Sequence, residues 1–245
     1  MYSGCYRIAE RIIAIHSIYS QTHEMCQAYR AEGTPDFSVE ISQEDIAFEH
    51  RKSAQERENE GLSPCTFPDA YLETLAVYRK IADHLNAYQT ILFHGSVIAV
   101  DGEGFLFTAK SGTGKSTHTR LWREMFGARA VMVNDDKPLL RIAENAVYAY
   151  GTPWDGKHHL SENISVPLKG ICILERASEN SIIPLNKQQA FVMLIQQTHK
   201  SSDPQILRQT LALVDKMGAI VPLYKLGCNM NPEAAAVAYR GMKGE

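Results

Sequence analysis

The run Ala109-Lys110-Ser111-Gly112-Thr113-Gly114-Lys115-Ser116-Thr117 holds residues that together can cradle a polyphosphate. Read from Ala109, it is G-x-x-x-x-G-K-[ST] with one departure, an alanine at the first glycine position. Gly112 and Gly114 can take positive φ and bring backbone N–H groups close to phosphate oxygens with no Cβ in the way. A helix starting near Lys115 would aim its free N–H groups and the positive end of its dipole at the same oxygens. Lys115 would reach the β- and γ-phosphates, and the Ser116 hydroxyl would ligate Mg²⁺. The segment Ser111–Thr117 is therefore expected to bind a nucleoside triphosphate such as ATP.

A magnesium ion also needs a carboxylate, usually from the end of a neighbouring strand. Asp135-Asp136, after the apolar run Val131-Met132-Val133, is placed for that. Two adjacent acids leaving a strand point in different directions. One, with Asp135 the candidate, would hold the metal beside Ser116, while the other takes a proton from an attacking hydroxyl. Their division of labour stays open on the sequence. Downstream, Gly151-Thr152-Pro153-Trp154-Asp155-Gly156-Lys157-His158-His159 concentrates polar chemistry in a Gly/Pro loop. Asp155, Lys157 and His158 are candidates for binding substrate or phosphate. Arg176, ending the run GICILE, could supply a cation to a transferring phosphate, an exposed ion-paired arginine being the simpler reading.

The elements that must position these residues can be read from periodicity and punctuation. Two apolar strands, ILFHGSVIAV and GFLFTA, flank Asp101-Gly102-Glu103-Gly104, a hairpin signal. The second strand runs into the glycine loop, and HTRLWREMF continues as a helix ending at Gly127. Residues 69–88 place apolar side chains at three- and four-residue steps, the pattern of an amphipathic helix. Strands are expected near 5–15, 36–41, 130–133, 146–150, 165–166, 170–174 and 221–226. Helices are expected near 20–31, 42–59, 187–198, 204–217 and 232–240. The charge run Glu56–Glu60 reads as a solvated helix end or loop.

Composition excludes several classes. With 44% hydrophobic and 22% charged residues the chain is ordinary globular protein. A net charge of −3 gives no footprint for nucleic acid or an anionic membrane. The five cysteines are scattered with no C-x-x-C pair, which fits a reducing cytoplasm and indicates neither zinc nor disulfides. The N-terminal apolar stretch is interrupted by Glu10 and Arg11, too charged for a signal or membrane helix. Self-association is left open. The expected division is an N-terminal α/β region over 1–88 and a nucleotide-binding catalytic domain over 89–245.

In order, Leu92-Phe93-His94-Gly95, the short hairpin, SGTGKS and Val133-Asn134-Asp135-Asp136 resemble the catalytic domain of HPr kinase/phosphorylase, in the wider group that includes phosphoenolpyruvate carboxykinases. The similarity covers about residues 90–140 well and the remainder in general pattern. It implies an α/β fold whose mixed sheet, flanked by helices, carries a P-loop of the HPr kinase C-terminal domain or carboxykinase type. It implies that Lys115 and Ser116 are the phosphate lysine and metal hydroxyl, that Asp135 and Asp136 are the paired acids, one of them the catalytic base, and that His94 lies close to the γ-phosphate. The family's downstream glutamate and arginine signature for phosphorolysis has no counterpart where Gly151–His159 stands. The resemblance therefore does not extend to phosphorolysis or to HPr as substrate. The expected activity is ATP-dependent transfer of the γ-phosphoryl group to a hydroxyl of a peptide, protein or small molecule. The competing readings are a carboxykinase-like enzyme, against which the short chain stands, and a non-catalytic nucleotide sensor, which would need at most one of the two acids.

Overall fold

The computed structural model describes residues 1–59, 61–156 and 158–244, and within them the chain divides into two compact units, Met1–His84 and Leu85–Glu245. The first unit holds β1 (Tyr2–Ile8), β2 (Arg11–Ser17), α1 (Gln21–Met25), β3 (Phe37–Glu40), α2 (Gln43–Asn59) and most of α3 (Asp69–Asn86). The strand expected over 5–15 is in fact a hairpin, with β1 antiparallel to β2. Its turn is Ala9-Glu10, both at positive φ (48° and 68°). Neither residue is a usual choice for that conformation, so no turn signal marks the reversal in sequence. β3 joins β2 in parallel. The helix expected over 20–31 is shorter, α1 followed by a 3₁₀ turn at Gln27–Tyr29. The polar helix α2 is anchored through charge: Arg79 of α3 donates to Glu49 at 2.7 Å, and Lys80 to Asp45 at 2.7 Å.

The second unit contains β4 (Thr90–Leu92), β5 (Ser96–Val100), β6 (Glu103–Thr108), α4 (Lys115–Phe126), β7 (Ala130–Asn134), β8 (Leu139–Ile142), β9 (Val147–Tyr150), β10 (Ser165–Arg176), β11 (Ser181–Leu185), α5 (Lys187–Gln196), α6 (Pro204–Ile220), β12 (Leu223–Cys228) and α7 (Glu233–Lys243). The strands form one mixed sheet in the order β4-β8-β9-β10-β6-β5-β7, with β12 also on β10 and β11 on β12. The two short strands expected at 165–166 and 170–174 are one twelve-residue strand, β10. Its start pairs antiparallel with β9, and after an irregularity between Leu168 and Gly170 it runs parallel to β6 and β12. Such a bulge bends a strand and lets one strand serve two parts of a curled sheet.

Both faces of this sheet are buried, and side chains alternate between them with the two-residue period of extended chain. Val97, Ala99, Leu106, Ile171 and Ile173 face one core, shared with Ala190 and Leu194 of α5 and Val214 and Met217 of α6. Ile98, Val100, Phe105, Phe107, Cys172 and Leu174 face the other, shared with Leu121 and Trp122 of α4 and Ala234, Ala235, Ala238 and Met242 of α7. The unit is thus a mixed α/β layer structure, helices on both faces of the sheet. Among the described residues no helix is long and apolar enough to cross a membrane.

Strand direction decides where the chemistry collects. β6 and β10 are parallel, while β5 is antiparallel to both β6 and β7, so β6, β7 and β10 all end on one edge. β5 starts there. The ends of β6, β7 and β10 and the start of β5 carry the glycine loop, Asp135-Asp136, Arg176 and His94, respectively. An edge of strand carboxyl ends is the usual ligand face of such sheets.

Candidate functional site

The loop from Ala109 to Gly114 joins central strand β6 to α4, which starts at Lys115. Gly112 and Gly114 have φ of 73° and 120°, values that side chains disfavour. No side chain caps α4, so its first N–H groups stay open to a ligand. Ala109 is fully buried in the core that α4 covers. Its methyl group packs in that core. From β10, Arg176 donates to the carbonyls of Gly112 at 2.5 Å and Thr113 at 3.5 Å. It holds the shape of the loop from outside.

Helix α4 is fixed by its apolar face. Trp122 packs on Phe105 and Phe107, ring centroids 4.9 and 5.2 Å away. Its indole N–H donates to Nε2 of buried His118 at 3.1 Å. An indole is donor only, so the neutral imidazole carries its proton on Nδ1. Burial lowers the pKa of His118 to about 4.

The acid pair is placed by Asn134, buried at the end of β7. Its Oδ1 accepts from the backbone N–H of Asp136 at 2.9 Å and Lys137 at 2.7 Å. Its Nδ2 donates to Thr152 Oγ1 at 3.0 Å. One side chain therefore shapes the turn that carries the acids and ties it to the Gly151–His159 loop. Gly151 must be glycine: a Cβ there would stand 1.8 Å from the Glu162 carbonyl oxygen. Gly156 lies against the acid itself, where a Cβ would come within 3.0 Å of Asp135 Oδ2.

The two acids differ electrostatically. Asp135 is only 6% exposed, and its Oδ1 has no hydrogen-bond partner. Burial pushes its carboxyl above the usual range, although the Ser96 and Ser116 hydroxyls and His158 pull it down. At Asp136 burial also pushes upward, but His94, Lys137 and Lys115 outweigh it and the carboxyl is held low. His94 Nε2 lies 3.4 Å from Asp136 Oδ1. The contact follows from a break between β4 and β5: Phe93 and Gly95 donate backbone N–H groups to Pro138 and Asp136 carbonyls. The apolar run expected as one strand is interrupted at His94, and that interruption delivers the imidazole to the acids. Burial lowers the pKa of Lys115, and Asp136 and Asp135 act to raise it.

The sequence-derived candidates separate here. Lys115, Ser116, Asp135, Asp136 and His94 converge, and His158 joins them on the Asp135 side of an open cleft of about 410 Å³. Asp155 does not: its carboxylate is spent on His159 Nδ1 at 2.8 Å and the N–H of Ser161 at 3.3 Å. Arg176 grips the loop. Lys157 lies outside the described residues. The cleft also exposes residues not singled out in the sequence, Arg120, Arg123, Thr119 and Leu160. A signal for the first two was present, since Arg120 and Arg123 follow Ser116 by four and seven residues and so share its helix face.

Residues 70–232 match the family model described as SynChlorMet cassette protein ScmC. The chain belongs to the ScmC family. The ScmC match takes in the glycine loop, the acid pair, the Gly151–His159 loop and Arg176. Among solved structures this ScmC-family chain is similar to the HPr(Ser) kinase/phosphatase from Coxiella burnetii, at 12% sequence identity and a TM-score of 0.35, over 63% of this chain and 99% of that one. No curated protein matches it.

Proposed function

We propose that the chain is a Mg²⁺–ATP-dependent phosphotransferase acting on a hydroxyl, with Ser111–Thr117 as its P-loop. The observation that carries this reading is the buried, unpartnered Oδ1 of Asp135 in a cleft shared with Ser116, beside Lys115 at an open helix N-terminus. A buried carboxylate oxygen with no partner is costly unless a cation completes it. Ser116 and Asp135 fit Mg²⁺, which takes one or two protein ligands and fills the rest with phosphate oxygens and water. Among the described residues there is no cluster of three or more His, Cys, Asp or Glu side chains able to hold a metal, and Mg²⁺ bound with a nucleotide would need none. When bound, Mg²⁺ neutralises charge developing on the β- and γ-phosphate oxygens.

The chain's own groups then divide the work. The backbone of Ser111, Gly112, Thr113 and Gly114, the first turn of α4 with Thr117, and Lys115 bind the phosphates. Asp136, kept ionised beside His94, accepts the proton. The acceptor oxygen bonds to the γ-phosphorus as the bond from that phosphorus to the β–γ bridging oxygen breaks. ADP leaves with the electron pair, and the hydroxyl proton passes to Asp136. The resemblance of the ordered motifs to HPr kinase supports the same roles and a sheet of that type.

Titration calorimetry with ATP and Mg²⁺ tests the nucleotide half of the proposal. Wild type should bind, and Lys115→Ala should weaken binding about 100-fold through loss of a charge-assisted contact. Equal affinity in the two proteins would overturn the assignment of the loop.

A further inference from the structure

The cleft that Asp135 lines also runs along α4, where two arginines face it. Ser116, Arg120 and Arg123 lie on one helix face, and with Asp135, His158 and Leu160 they line the same space. Arg120 donates to Glu124 at 2.6 Å. Arg123 is different. Its Nε is buried with no hydrogen-bond partner, and among the described residues no ion pair involves it. Arg123 also lines the cleft, and a guanidinium can meet a carboxylate with two N–H groups side by side. Leu160 gives the same space an apolar wall, and its volume suits a small molecule.

We propose that Arg123, assisted by Arg120, recognises a carboxylate on a small hydroxyl-bearing acceptor, with the hydroxyl presented to Asp136 beyond the Ser116–Asp135 end of the cleft. This rests on the phosphotransferase reading, to which it adds the substrate class. Arg120 and Arg123 stand one and two turns beyond Ser116, and seven residues of helix rise span about 10 Å, a distance a small acceptor can bridge within the cleft. The arginines thus set specificity and stay outside the chemical step.

The test uses the full chain loaded with Mg²⁺ and a non-hydrolysable ATP analogue, following the Arg123 Nε–H resonance by NMR. Glycerate is the probe, malonate a carboxylate without the hydroxyl, and glycerol the uncharged control. Glycerate and malonate should shift the resonance saturably, and glycerol should not. Arg123→Lys, which keeps charge and packing but loses the paired donors, should weaken glycerate binding at least tenfold in a ligand-observed titration. Nucleotide affinity, measured on the same samples, should stay within about twofold of wild type. A carboxylate site is refuted if neither acid produces a saturable shift, or if glycerol does so equally. Loss of nucleotide affinity in Arg123→Lys would refute it differently, by assigning the arginine to the nucleotide. Failure of the wild-type chain to bind nucleotide at all would strike the phosphotransferase reading, a separate result from loss of carboxylate binding alone.

Discussion

At the scale of single residues, two neighbouring aspartates are shifted in opposite directions by their surroundings. Asp135 has its folded-state pKa raised, chiefly by burial, so its ionised form is penalised in the fold. The stability this group contributes is present at low pH and lost as pH rises through its folded pKa. Asp135→Asn should therefore raise the melting temperature of the metal-free protein at pH 7. Asp136 is the reverse case. Burial is outweighed there by His94, Lys137 and Lys115, the folded pKa is depressed, and its contribution is present at neutral pH and lost on acidification. Asp136→Asn should lower the melting temperature at pH 7. The same pair separates by metal dependence. Asp135→Asn should raise the Mg²⁺ concentration needed for half-maximal nucleotide turnover at least tenfold, whereas Asp136→Asn should depress turnover with that concentration unchanged. Identical Mg²⁺ profiles for the two variants would remove the proposed division of roles.

At the scale of elements, α4 presents its N-terminus to the edge where β6, β7 and β10 end because its other face is locked into the core by Trp122 and Leu121. His118 reports on that lock. Its folded pKa of about 4 lies below the ordinary 6.5, so its contribution is complete above pH 6.5 and is lost as pH falls through 4. That gap corresponds to roughly 3 kcal/mol. Chemical denaturation between pH 7 and 4 should show wild type losing about that much more stability than His118→Gln; parallel curves would mean that the imidazole is not held neutral by burial. Several elements were legible from local signals alone. Asp101-Gly102 between apolar runs marked the β5–β6 hairpin, and both residues take positive φ (52° and 82°). Others were not, because what defines them is not local. The Ala9-Glu10 turn breaks the usual turn chemistry, and the pairing of β1 with β2 overrides it. The gap at His94 lies inside an apolar run that reads as continuous; hydrogen bonds from the 93–95 segment to residues 136 and 138 create it.

At the scale of the molecule, the candidate site is a property of sheet topology. His94, Lys115, Asp135 and Arg176 span more than 80 positions of sequence, yet β5, β6, β7 and β10 bring them to one sheet edge. The residue types and their order could be read directly, since each motif is short. The roles of Asn134, Asp155 and Arg176 could not, because they depend on which loop lies over which: Asn134 grips Thr152, Asp155 turns back on His159, and Arg176 reaches across to Gly112. The central claim is that this edge moves a phosphoryl group from nucleotide to hydroxyl. The most direct measurement follows γ-labelled ATP with Mg²⁺ over a panel of hydroxy acids and hydroxyl-bearing peptides, wild type against the Asp135→Asn/Asp136→Asn double variant. The account predicts label on at least one acceptor with wild type, and none with the double variant although nucleotide still binds. ATP consumed at the same rate by both proteins, or label that never leaves ATP in wild type, would contradict it.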